Sequence, residues 1–316
     1  MWRDTKWAVL LVLVTSISCN LFSSEDSTPE IPGKLVYSAP DKNGRYQIYT
    51  SLTNGSKRKQ LTSSGDEEAE FFNPAWNSDG TQIALTSTLN SSSEGPSLYL
   101  MNSDGSNLRP LKGRSNTDIV TTGNNPKWSP DDSKIAFDSC LNFELGGRNH
   151  ELFVYDFETD IITQLTDTLS EDENPVWNPL NSEIAFSSSR ASESFNVSDI
   201  YILNLQNMAV QRLTNTDNSG RQLWFANGNE LLFWSNNELF KYDFRFGLAT
   251  KLPVNLSSNI GFRPLSLSFE NEYVLLITFN LVDSHKEHKL QILDIRTGDI
   301  HEGISSSRFN GADLFD

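Results

Sequence analysis

Three stretches of the chain, FNPAWNSDGTQIAL (72–85), NPKWSPDDSKIAF (125–137) and NPVWNPLNSEIAF (174–186), share one frame. In each, a tryptophan (Trp76, Trp128, Trp177) stands seven residues before an isoleucine (Ile83, Ile135, Ile184). LWFANGNELLF (223–233) repeats the offset from Trp224 to Leu231, LSFENEYVLL (267–276) repeats it from Leu267 to Val274, and LVYS (35–38) matches the second half alone. The aligned positions Leu35, Ile83, Ile135, Ile184, Leu231 and Val274 are 48, 52, 49, 47 and 43 residues apart. Self-similarity at such a period is the mark of a repeat architecture in which no unit can bury its apolar faces alone. Six units follow.

Within each unit a second alternating segment recurs: QIYTSL (47–52), SLYLMN (97–102), ELFVYD (151–156), DIYILNL (199–205), ELFKYD (238–243) and KLQILDI (289–295). A third element, QLT (60–62), PL (110–111), QLT (164–166), RLT (212–214) and KLP (251–253), is expected to be a fourth, outer strand. Period-two alternation bounded by turn residues fits strands better than helices. Ser78-Asp79-Gly80 and Ser103-Asp104-Gly105 place Asp-Gly where the chain must reverse, since glycine accepts positive φ and aspartate bonds its neighbouring backbone. Four-stranded units of this kind stack radially, so the expected fold is all-β: a six-bladed β-propeller with four-stranded antiparallel blades. The tryptophans read as packing between blades, each contributing several kcal/mol at about 25 cal/mol per Å² of apolar burial. The first unit lacks its leading strand, and FNGADLF (309–315) has the length of one; the chain end is therefore predicted to complete blade one beside residues 34–39, which removes an exposed edge.

The pattern N-P-x-W-S-P-D-x-x-x-I-A-F, carried best by Asn125-Pro126-Lys127-Trp128-Ser129-Pro130-Asp131-Asp132 and Ile135-Ala136-Phe137, resembles the WD40-like (PD40) repeat of the TolB-type β-propeller family. The resemblance spans roughly residues 34–308, strongest over the middle three units. It departs at Leu180, where the family has aspartate, and at the turns of units five and six. It implies binding of peptides at a central funnel, without carrying over TolB's own partners. Relatives of this type also occur fused to peptidase domains, but the repeats leave no stretch for one within this sequence.

Lys and Arg number 25 against 41 Asp and Glu, a formal charge of −16, which argues against a nucleic-acid binder. Residues 1–19 carry Arg3 and Lys6, an apolar run from Trp7 to Val14 and then small residues up to Cys19. That run is too short for ~30 Å of hydrocarbon and suits a signal peptide. It resembles a lipoprotein signal in which Cys19 is lipidated and anchors the protein to a membrane at the cell envelope; ordinary secretion is the alternative. Residues 20–33 read as a polar tether and 34–316 as the propeller. Cys140, left unpaired, reads as a small buried hydrophobe rather than a nucleophile.

In this fold the connections between blades, and those between second and third strands, emerge on one face. The long segments 87–96, 139–149 and 187–198 gather there, as do the interblade stretches 63–73, 115–125, 167–174 and 215–221, and loops on a rigid ring are where binding is most often placed. Two interblade stretches are acidic: Asp66, Glu67, Glu68 and Glu70, and Glu171, Asp172 and Glu173. Aimed at the channel, they would receive a basic peptide or a divalent cation, although solvated carboxylates are ordinary surface and neither run has the spacing of a calcium loop. His150, His285, His288 and His301 show no metal-ligand spacing and are assigned to the surface. No G-x-S-x-G, Walker, dinucleotide-binding or H-E-x-x-H motif occurs, so no catalytic residue and no cofactor is assigned beyond the possible divalent cation. The leading expectation is a noncatalytic envelope scaffold for a protein or peptide. The alternatives are a metal-dependent lyase or hydrolase acting on glycans, and a carbohydrate binder using Phe143, Phe195 and Phe225. No segment specifies an oligomeric state.

Overall fold

The computed structural model describes residues 31, 33–63, 68–89, 95–115, 122–141, 149–180, 182–192, 197–268, 270–282 and 288–315. The leader with Cys19, nearly all of the tether, Asp66, Glu67, Phe143, Phe195 and His285 lie outside these residues. The alternating segments form strands that assemble into six sheets. Blade one is β1 (Lys34–Pro40), β2 (Tyr46–Leu52) and β3 (Lys59–Gln60), joined by β25 (Ala312–Phe315). Blade two is β4 (Phe71–Trp76), β5 (Gln82–Ser87), β6 (Ser97–Asn102) and β7 (Arg109–Pro110). Blade three is β9 (Asn124–Trp128), β10 (Lys134–Leu141), β11 (Asn149–Asp156) and β12 (Ile161–Gln164). It gains a fifth, parallel strand, β8 (Arg114–Ser115), from the segment that leaves blade two. Blade four is β13 (Asp172–Trp177), β14 (Glu183–Ser188), β15 (Asp199–Asn204) and β16 (Val210–Arg212). Blade five is β17 (Ser219–Trp224), β18 (Glu230–Ser235), β19 (Glu238–Asp243) and β20 (Leu248–Lys251). Blade six is β21 (Ile260–Leu267), β22 (Tyr273–Asn280), β23 (His288–Asp294) and β24 (Ile300–Ser306). The protein is an all-β, six-bladed propeller.

The ring closes as the incomplete first unit requires. β25 pairs antiparallel with β1, Leu35 opposite Leu314 and Tyr37 opposite Ala312. Leu275, Ile277, Leu290 and Ile292 of blade six then bury against Leu35, Tyr37 and Leu314 of blade one. The other apolar clusters each join one further pair of neighbours, so the core is a belt of interblade seams. Gly80, at φ +67 in the first Asp-Gly turn, is one place where the closure needs glycine: the Phe315 ring sits 2.7 Å from where a β-carbon would stand.

The tryptophans act across these seams. The Trp128 indole N–H donates to the Ala75 carbonyl of the preceding blade at 3.2 Å, and that of Trp177 to the Lys127 carbonyl at 3.0 Å. Trp177→Phe keeps most of the packing and loses the bond, so we expect a loss of about 1 kcal/mol in urea unfolding. Asp132, in left-handed conformation (φ 57), reaches back to the Ser78 amide (2.9 Å) and hydroxyl (2.7 Å) of blade two, adding a polar tie to the same seam.

The x-L-T element marks the outer strand as expected, and does so at its end: β3, β12 and β16 stop at Gln60, Gln164 and Arg212, and the threonine two residues on folds back. Thr62, Thr166 and Thr214 accept from the amides of Ile48, Leu152 and Ile200 and donate to the side chains of Gln47, Glu151 and Asp199. Each threonine satisfies a third-strand amide where the ladder has run out, which explains its recurrence.

Candidate functional site

The channel is built by the inner strands, and the Asn of N-P-x-W sets its wall. β4, β13 and β17 each bulge at this point, with register shifts between Phe72 and Ala75, Glu173 and Val176, and Gly220 and Leu223. The bulged residue is left-handed: Asn73 (φ 46), Asn125 (φ 50), Asn174 (φ 56) and, at the equivalent point of blade one, Gly311 (φ 82). Asparagine and glycine are the residues that enter this region most easily, so the motif's asparagine is a backbone requirement. Blade five breaks the rule with Arg221 (φ 55). In blade six Arg263-Pro264 takes the place of Asn-Pro, with the bulge moved to Leu265.

Around the axis lie a narrow waist of about 60 Å³ and two wider mouths. The mouth of about 310 Å³ is lined by Trp76, Trp128, Trp177 and Trp224. The other, about 970 Å³, opens on the long-loop face and takes residues from every blade, among them Tyr46, Asn73, Asn125, Asn174, Arg221 and Phe279. This is the size of a pocket that takes a peptide segment or a small ligand, set on six rigid sheets.

The larger mouth has two electrostatic sides. On blades three and four, the buried carboxylate of Asp138 accepts from the Asn125 side chain (2.8 Å), the Asn174 amide (3.0 Å) and His150 Nδ1 (3.2 Å). Burial pulls the His150 imidazole down, but the hydrogen bond and charge of Asp138, with Glu173 and Glu171 behind, carry it up to about 9. Burial and the Asp138 charge raise the Glu173 carboxyl above its ordinary value. His150 is therefore an imidazolium at neutral pH, facing three carboxylates. One imidazolium offsets only part of the charge of these carboxylates, so this side stays acidic.

The opposite side is cationic. Arg221, Arg263 and Arg308 line the mouth, and no carboxylate of a described residue lies within ion-pair distance of any of them. The Arg263 guanidinium lies 5.4 Å from the centroid of the Phe279 ring. Burial first, and then the neighbouring charge of Arg263, pull Arg221 below its ordinary value, against the opposing charges of Glu173 and Asp138 across the mouth.

The acidic residues singled out in the sequence scatter. Glu173 lines the mouth. Glu171 approaches the His150 amide (Oε2, 3.4 Å), and Glu70 accepts from the Tyr46 amide at 3.3 Å. Exposed Glu68 pairs with Arg45 at 2.6 Å. Asp172 is fully buried, held by Arg190 (2.6 Å) and Ser188 (2.5 Å), and offers no free oxygen edge to a ligand. The surface assignment of the histidines fails for His150, half-buried on Asp138, and His288 lines the mouth. Phe225 is buried in the seam between blades five and six and cannot serve as an exposed platform. Cys140 is half-buried in β10, cross-strand from His150, rather than in the core. The arginines were missed, yet the sequence held a signal for two of them: Arg221 stands where units two to four read Asn three residues before the tryptophan, and Arg263-Pro264 stands for Asn-Pro in unit six.

No protein-family model matches the chain, and no curated protein sequence matches it. Solved structures do. TolB from Acinetobacter baumannii superposes with a TM-score of 0.64 at 19% identity, over 90% of this chain and 66% of that one. A protein assigned as TolB from Agrobacterium tumefaciens gives 0.63 at 15% identity, over 90% and 98%. An oligogalacturonate lyase in complex with manganese gives 0.56 at 11%, over 85% and 73%. The fold is thus the TolB-type six-bladed propeller, shared by proteins of different activity.

Proposed function

We propose that the protein is a noncatalytic binding propeller of the cell envelope, which takes a segment of a protein or peptide partner into the larger channel mouth. The observation that carries this reading is the mouth itself, about 970 Å³, walled by all six blades and lined by side chains whose polar groups are not all used within the ring. Exposed Leu169, Leu281 and Val282 stand on the connections of the same face, apolar surface of the kind that partner segments cover. The similarity to TolB structures accords with it. In this reading residues 1–19 are a lipoprotein signal, Cys19 carries the lipid, and 20–33 tether the ring to the membrane.

A photo-crosslinking amino acid at Ser307, on the mouth, is expected to trap a discrete protein adduct in native envelopes, whereas one at Met208, on the tight-turn face, is not. Equal adducts from both sites, or none from Ser307, would overturn the reading. Labelled palmitate entering the wild type but not Cys19→Ser tests the anchor.

A metal-dependent lyase or hydrolase acting on glycans is the second reading, favoured by His150, Glu171 and Glu173, whose candidate ligand atoms lie within 4.8 Å of one another. A divalent cation there would activate water or polarise a substrate oxygen. It would first have to displace the proton that Asp138 holds on His150, which weakens binding at neutral pH. Calorimetric titration with Mn²⁺ at pH 7 that gives micromolar affinity, abolished in His150→Ala, would favour this reading over the first.

A further inference from the structure

We infer that the segment received by the larger mouth is acidic, its carboxylates held by Arg221, Arg263 and Arg308; this rests on the peptide-binding reading above. The argument starts from charge. Carboxylates outnumber basic side chains 41 to 25 in this chain, and Arg45, Arg190, Arg212, Arg245 and Arg296 all sit in ion pairs, while Arg58 lies over the Tyr49 ring. Three with no ion-pair partner among the described residues line one cavity. Cations placed together without a counter-charge repel one another, and a guanidinium presents a planar fork matched to a carboxylate.

Backbone geometry supports the same assignment. Arg221 occupies a left-handed position that the equivalent residues in blades one to four fill with glycine or asparagine. An arginine held there costs conformational energy, and such strain persists where the side chain has a task. On the acidic side His150 offsets part of the charge of Asp138 and Glu173, which weakens the pull of that side on a basic ligand. A basic peptide would therefore meet three arginines that have no ion-pair partner among the described residues.

Peptide is favoured over acidic sugar by the rings. Phe279 carries Arg263, Tyr46 is tilted against Phe72 and Phe309 is buried edge-on to Tyr37, so each of these aromatic side chains of the mouth already has a partner. The exposed leucines and valine of the same face suit aliphatic side chains of a peptide instead.

The test is selection of a random octapeptide library on the full chain, followed by affinity measurement on wild type, Arg221→Asn and Arg263→Gln/Arg308→Gln. The expected result is enrichment of sequences with two or more Asp or Glu, which bind Arg221→Asn at least tenfold more weakly and weaken with added salt. Arg221→Asn restores the residue of the other blades, so its melting temperature should hold or rise; a fall would mean that Arg221 is structural and would overturn its role. Enriched peptides that are neutral or basic, and are competed by a crosslinker at Ser307, would overturn the acidic assignment while leaving the peptide-binding reading intact. No enrichment at all would remove that reading and the inference with it. Binding of an oligouronic acid, but of no peptide, lost in the arginine variants, would keep the carboxylate clamp and overturn the peptide.

Discussion

Deleting residues 309–316 should open the ring. Phe309, Ala312 and Leu314 are all buried, and losing the two large side chains alone costs on the order of 3–6 kcal/mol at about 1.5–3 kcal/mol each. Four cross-strand pairs with β1 go with them, leaving that strand as an unprotected edge. Asp313 is lost too, and it ties three blades: it lies on blade one, accepts from the Trp76 amide of blade two at 2.9 Å and from the Ser266 hydroxyl of blade six at 2.6 Å. A typical domain holds only about 5–15 kcal/mol of stability. The truncated chain is therefore expected to unfold at least about 10–20 °C lower by circular dichroism and to aggregate. Adding a peptide of residues 307–316 in trans should recover part of the loss. Asp313→Ala, which keeps the strand but strands a buried amide, should cost about 1–3 kcal/mol. A truncated protein that melts like the wild type would show that the ring does not depend on this closure.

The second large effect centres on Asp138. Its carboxylate is all but inaccessible and holds an amide, a side-chain amide and an imidazolium. Asp138→Ala leaves those donors facing no acceptor, and breaking a buried charge pair by removing one partner costs about 3–5 kcal/mol. Asp138→Asn separates shape from charge. In the wild type, His150 is raised to about 9 from an unfolded value near 6.5, so its protonated form stabilises the fold. A raised folded value means that this contribution is complete below pH 6.5 and is lost as pH climbs through about 9, a swing on the order of 3 kcal/mol. Wild-type stability in urea should fall across pH 7–9 relative to Asp138→Asn, whose curve should be nearly flat over the same window. Parallel curves would show that His150 is not charged through this pair.

The asparagine of N-P-x-W is a case where a short motif has a mechanical cause: it is the residue that turns left-handed at the bulge facing the channel, three residues before the indole that staples the seam with the preceding blade. The threonine of x-L-T is another, closing the ladder on the amide of the third strand. Both recur in sequence because each blade solves the same local problem. The acidic runs had no such support. Glu171, Asp172 and Glu173 are consecutive, yet successive residues of an extended chain point to opposite sides, so Asp172 enters the sheet and pairs with Arg190 while Glu173 meets the channel.

What the sequence determined by itself was periodic: six units, the strands within them, the turns that need glycine or aspartate, the tryptophan seams and the closing strand, because each depends on spacing along one chain or on one incomplete copy. What only the tertiary structure decided was convergence. His150, Asp138 and Glu173 come from three strands of two blades, and Arg221, Arg263 and Arg308 from two blades and the closing segment, residues tens of positions apart that share one mouth only because radial stacking brings every inner strand to the same axis. Charge along the chain suggested an acidic funnel; charge around the axis, where an imidazolium offsets part of one side and three arginines stand on the other, is set by which side chains the ring turns inward.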